Sequence, residues 1–214
     1  MPRTFAPDAV THRDALARLR EGNQRFVRGE GVALRAWHPG LATGQAPFAT
    51  VLGCSDSRAP AEYVFDQGLG DLFVIRVAGN IVAPSLVGSV EFAASQFGTR
   101  LVVVMGHTQC GAIRATLDAL EAEGAAESRN QQSIVDRIKP HVGQFVSASF
   151  GSSAPTGARD EERFYAAVRA NVVSSAAELR RSSPLLDDLV ERGHVAIVGA
   201  VYDLATGIVH FLDP

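Results

Sequence analysis

The chain has two cysteines, Cys54 and Cys110, and both stand in short segments whose residues can do chemistry. The first segment is Gly53-Cys54-Ser55-Asp56-Ser57-Arg58; the second is Gly106-His107-Thr108-Gln109-Cys110-Gly111. Cys54, His107 and Cys110 are soft or borderline ligands, and three such ligands with a fourth position left over describe a catalytic zinc site. Asp56 either takes that fourth position or guards it. Arg58 lies two residues further on, on the same side of an extended backbone, within pairing reach of Asp56. Taken singly these residues have plainer uses: buried apolar thiols, a core histidine, and a surface ion pair worth ~0–1 kcal/mol. A disulfide needs an oxidising compartment. The combination favours a metal, because one cysteine stands three residues from a histidine and the other two residues from an aspartate.

Each segment follows an apolar, β-prone run, Ala49–Leu52 and Leu101–Met105. Such runs read as buried strands of a parallel sheet, and α/β sheets bind ligands where their strands end. Further strands are expected over 72–77, 195–202 and 208–212, the last joined to its predecessor by a hairpin turn. Helices are expected over 11–28, 60–66, 84–97, from Gln109 or Cys110 to about 123, 128–149, 160–181 and 184–191. Thr11 or Asp8 can cap the first, whose Leu16, Leu19, Asn23, Phe26 and Val27 recur at spacings of three and four. Pro140 predicts a bend, and Trp37, in the loop over 29–47, reads as a packing anchor. A helix opening near Cys110 would aim free N–H groups at its sulfur and favour the thiolate. Gly111 would let the backbone pass close to the metal.

The pattern predicts an α/β fold. It is a mainly parallel β-sheet, four parallel strands plus an antiparallel edge strand, flanked by helices and carrying an N-terminal helical arm. One domain is expected over 1–214, with 1–47 as arm and loop and 48–214 as the zinc-binding core. The chain is 46% hydrophobic and 20% charged, enough for a sizeable core. A net charge of −3 gives no drive toward nucleic acid or anionic membranes. No run reaches the length of a membrane helix and the first residues lack the apolar region of a signal peptide, so a cytoplasmic location is expected.

The two cysteine segments together resemble the signature of the β-class carbonic anhydrases. The resemblance runs from about Ala15 to Leu212 and includes Gly68 to Asn80, where the family more often has Asn at the position of Val77. It implies one zinc ion per subunit on Cys54, His107 and Cys110, and reversible hydration of carbon dioxide to bicarbonate and a proton by zinc-bound hydroxide. It also implies two states for Asp56: held by Arg58 and accepting a hydrogen bond from the zinc water, or released and serving as the fourth ligand of a closed site.

Gln45, nine residues before Cys54, matches a Gln that donates to bicarbonate in open-site members of the family. Phe73 and Phe92 match the aromatic pocket positions of that type, and Gly111 lies beside them in the substrate-binding set. Val51 stands where a subset of the family has the Trp of an inhibitory bicarbonate site. Arg76 and Tyr202 resemble the other members of that site, and without the Trp an open site is expected.

Gln and one Phe come from a partner subunit in the family, and N-terminal helices wrap a neighbour. A homo-oligomer is therefore expected, a dimer or a dimer-based tetramer. His12, His38, His141, His194 and His210 are candidate proton carriers by pKa, and their spacing selects none. Two other readings keep the metal: hydrolysis of carbonyl sulfide or carbon disulfide on the same scaffold, and a closed structural zinc site in a non-catalytic protein.

Overall fold

The computed structural model describes residues 10–31, 37, 39–122, 126, 128–146 and 156–212. Five strands form one sheet in the order β2-β1-β3-β4-β5. β1 (Ala49–Gly53), β2 (Leu72–Arg76), β3 (Leu101–His107) and β4 (Ala196–Tyr202) run parallel, and β5 (Val209–Leu212) closes one edge antiparallel to β4. This is the expected sheet. Alternate side chains enter two separate cores, as period-two geometry requires. Val51, Leu101 and Val103 face one layer; Leu52, Val102 and Val104 face the other.

The first layer is built by α1 (His12–Val27) and α2 (Ala61–Val64). Thr11 caps α1 by accepting from the Asp14 N–H, and Asp8 lies outside the described residues. Ala15, Leu19 and Asn23 are buried against the chain's own sheet. Asn23 is polar but fully engaged. Its amide donates to Val64 O at 3.0 Å and Gly207 O at 2.9 Å and accepts from Val209 N at 2.9 Å. It thereby ties the N-terminal helix to the C-terminal strand.

The second layer comprises α3 (Pro84–Phe92), α4 (Gly111–Glu121), α5 (Arg129–Val142), α6 (Thr156–Arg181) and α7 (Pro184–Glu191). α6 lies closest to the sheet. A Cβ on Gly106 would meet Val172 Cγ2 at 2.5 Å, and one on Gly199 would meet Val172 Cγ1 at 2.9 Å. Two side-chain-free positions on neighbouring strands thus admit one valine of the helix.

Several boundaries differ from expectation. β3 continues through Gly106 and His107, because these residues stay paired with Val201 and Tyr202 of β4. The helix after Pro84 widens into a π-helical turn over Ala93–Phe97 before Gly98 ends it at φ 69°. Pro140 sits within α5, which gives way to a 3₁₀ turn at Gly143–Phe145; residues 147–149 lie outside the described set. Trp37 is 74% exposed and anchors no core in this chain, contrary to expectation. Among the described residues no helix is long and apolar enough to cross a membrane.

Candidate metal centre

Cys54 follows β1 directly, and its segment is held by backbone rather than by its own side chains. Arg76, at the end of β2, donates through Nε to Cys54 O at 2.9 Å and through Nη2 to Asp56 O at 2.5 Å. Ser55 N donates to Val77 O at 3.3 Å, so strand pairing runs on past β1. Cys110 is brought back toward the strand end by a turn in which Gln109 takes φ 57°, a left-handed conformation uncommon for a non-glycine residue. Cys110 then forms the N-terminal boundary of α4.

His107 is the last residue of β3. Its Nδ1 lies 2.9 Å from Thr108 O. A carbonyl only accepts, so Nδ1 carries the proton and Nε2 is left with its lone pair. Thr108 is fixed in turn: its N–H donates to Tyr202 O and its Oγ1 accepts from Leu204 N, each at 2.9 Å. Nε2 is buried and has no hydrogen-bond partner among the described residues.

The ligand atoms of Cys54, His107 and Cys110 all lie within 4.8 Å of one another. The two sulfurs are 4.0 Å apart. Sulfurs sharing one tetrahedral zinc would be ~3.8 Å apart at the usual Zn–S bond length of about 2.3 Å. A lone pair buried without a donor, beside two thiols at that separation, fits a thiophilic divalent ion.

Charge is distributed accordingly. The hydrogen bond with Cys110 pushes the Cys54 thiol well down, against the opposing effect of burial, with help from His107 and from the Asp56 and Gly79 amides. Cys110 is pushed up by the same bond and by burial. The Ala112 and Ile113 amides at the start of α4 pull the Cys110 thiol down, as expected of a helix terminus, against the upward push of Cys54 and burial. Burial lowers the His107 pKa, but the neighbouring Cys54 sulfur outweighs it and the net shift is upward.

Asp56 is gripped by Arg58 on both oxygens. Nε and the backbone N–H of Arg58 reach Oδ1 at 2.9 Å, and Nη2 reaches Oδ2 at 2.7 Å. The guanidinium hydrogen bonds hold the carboxyl well below the usual carboxylate range. Asp56 Oδ2 is 3.8 Å from His107 Nε2, close to the cluster but outside it. Arg58, Thr108, Gln109 and Tyr165 line an open cleft of about 690 Å³ on this side.

The structure therefore gathers Cys54, Asp56, Arg58, His107 and Cys110. It does not gather Gln45, Phe73 or Phe92 to the same cluster. Phe73 pairs with Thr50, so it lies four residues, ~13 Å, back along the strands from Cys54. Phe92 is half exposed and packs on Phe73 at 6.1 Å between ring centres. Gln45 is exposed beside Gly70, where β1 and β2 begin.

A Cβ on Gly111 would meet none of the described residues within 4 Å. Gly79 stands at φ 71°, where a Cβ would lie 2.7 Å from Ile138 Cδ1, and its N–H reaches Cys54 Sγ at 3.4 Å. Residue type and spacing do not single out Gly79, and they place Arg76 only in an inhibitory site. Among the candidate proton carriers His210 is exposed, His12, His141 and His194 are half-buried, and His38 lies outside the described residues.

Residues 49–209 match a family model described as carbonic anhydrase. The chain is 40% identical over 195 residues to the carbonic anhydrase of Mycolicibacterium smegmatis, covering 88% of this chain and 87% of that one. Among solved structures it resembles the β-carbonic anhydrase CcaA with a TM-score of 0.69 at 24% identity, covering 93% of this chain and 95% of the other. A structure of two tetrameric β-carbonic anhydrases from Sordaria macrospora matches with a TM-score of 0.68 at 23% identity, covering 82% and 85%. At these identities the two structures attest the fold.

Proposed function

The chain belongs to the β-class carbonic anhydrases, and from that premise we propose a zinc-dependent carbonate dehydratase whose metal is held by Cys54, His107 and Cys110. It catalyses the reversible hydration of carbon dioxide to bicarbonate and a proton. The observation that carries the metal assignment is the buried, unpartnered Nε2 of His107 facing two sulfurs 4.0 Å apart. Zinc bound there supplies Lewis acidity, so that water ionises near neutral pH and becomes a nucleophile for carbon dioxide.

The protein's own residues do the rest. Asp56, fixed as a carboxylate by Arg58, accepts a hydrogen bond and orients the attacking oxygen. Arg58 keeps Asp56 from closing the site, and the two-pronged pair supports an open site. Three clustered ligand atoms among the described residues, rather than four, also favour catalysis over a structural zinc. Gln45 is the donor to bicarbonate, Phe73 and Phe92 form its apolar wall, and Gly111 sits at the rim.

Gln45 and its aromatic neighbours serve the site of a second copy, while Gly111 stays with its own. Gln45, Phe73 and Phe92 lie toward the opposite end of the strands from their own cluster, and β2 is an edge strand with backbone groups able to meet a partner. A homodimer, or a tetramer built from two dimers, completes each site; the Sordaria macrospora proteins are tetrameric.

Metal analysis tests the assignment. About one zinc per chain is expected in the purified protein, falling to a small fraction in Cys54→Ala and Cys110→Ala. Full zinc in both variants would remove the assignment.

A further inference from the structure

A hydrogen-bonded line leads from Cys54 through the second helical layer to the half-buried His141. The Gly79 N–H donates to Cys54 Sγ at 3.4 Å. The carbonyl of the same residue accepts from Asn171 Nδ2 at 2.9 Å. Asn171 Oδ1 lies 3.2 Å from His141 Nδ1. Each group has one consistent role. The Gly79 carbonyl can only accept, which fixes the Asn171 amide with its NH2 toward Gly79 and its oxygen toward α5. That oxygen requires a proton on His141 Nδ1. His141 Nε2 then carries the lone pair, on a side chain that lines a cleft of about 860 Å³.

Asn171 is 1% exposed, so a buried amide is held with both ends engaged. The Gly79 peptide takes its direction from this bond and from packing. It sits in a short 3₁₀ turn, Ala78–Asn80, with φ 71°, wedged between Ile138 of α5 and Ala112 of α4. An N–H aimed at a thiolate withdraws charge from the sulfur, fixes its position and tunes the metal it binds.

We propose that Asn171 and, behind it, His141 are positioning residues that aim the Gly79 amide at the Cys54 thiolate and so set the affinity and electronic character of the metal centre. The proposal rests on the metal assignment above.

The test uses the full-length protein with Co²⁺ in place of Zn²⁺. Two quantities are read: the dissociation constant by chelator competition, and the sulfur-to-cobalt charge-transfer absorption in the near ultraviolet. Asn171→Asp removes the donor to Gly79. His141→Ala removes the outer support at a half-buried position where folding is easily checked by circular dichroism. His141→Gln restores an N–H donor.

The expected result is a loss of cobalt affinity of about tenfold or more in Asn171→Asp and a smaller loss in His141→Ala. A displaced charge-transfer band is expected in both, with recovery of affinity and band in His141→Gln. Wild-type affinity and an unmoved band in folded His141→Ala would overturn the role of His141. The same result in folded Asn171→Asp would overturn the whole proposal. If the wild-type protein binds no cobalt at all, the metal assignment itself falls, and the failure is recognisably not that of the relay.

Discussion

At the scale of single residues, Asp56 is the group whose setting matters most. Its carboxyl is pulled down first by the Arg58 side-chain hydrogen bonds, and burial opposes the shift only in part. For a carboxyl with a depressed folded-state value, the stabilising contribution is fully present above its unfolded value of about 3.9 and is lost as the pH falls below that. Asp56 is therefore expected to stay ionised from pH 5 to 9. A carbon-13 titration of the labelled carboxyl should show no midpoint in that range, and a midpoint inside it would contradict the Arg58 clamp. Asp56→Asn keeps the shape and removes the charge. It should lower kcat/KM for carbon dioxide hydration by about 10²-fold with zinc content unchanged. The cluster of Cys54, His107 and Cys110 with Asp56 and Arg58 was legible in the sequence because its chemistry is carried by residue type and short spacing. The supports of the site were not. Arg76, Thr108 and Asn171 act through backbone contacts and long-range packing, and no residue type announces such a role.

At the scale of elements, the seating of α6 on the sheet decides whether the metal ligands are held. Gly106 is one residue before His107, and any side chain there collides with Val172. Gly106→Ala is expected to cost about 1–3 kcal/mol by overpacking, read in denaturant unfolding. It should also weaken metal binding, since Asn171 neighbours Val172 on the same helix. Gly111→Ala makes the contrast. It adds a methyl to open space at the start of α4 and should change stability by less than about 1 kcal/mol, in the stabilising direction. Equal costs for the two variants would contradict this packing account. Strand and helix identities followed from periodicity, and α7 matches its expected bounds of 184 to 191. Boundaries moved where tertiary pairing overrode local pattern. β3 runs on to His107 because β4 is there to pair with it. The turn after it asks Gln109 to take φ 57°, which no propensity would assign to a glutamine.

At the scale of the whole molecule, the proposed site draws residues from two copies. A mixture of chains carrying Asp56→Asn and chains carrying Gln45→Ala should form hybrids in which one site has both lesions and the other has neither. Hybrids refolded together are expected to exceed the mean activity of the two parents. No gain would mean that each chain supplies its own Gln45. The sequence held the parts of this arrangement but not their separation. Only the register of β1 against β2 puts Phe73 out of reach of its own cluster. The most direct test of the central claim is stopped-flow carbon dioxide hydration at pH 7.5 and 8.5, on the protein as purified, after removal of zinc, and after zinc is restored. Fast hydration at both pH values, lost on stripping and regained with zinc, is the predicted result. No hydration at either pH with stoichiometric zinc bound would contradict it.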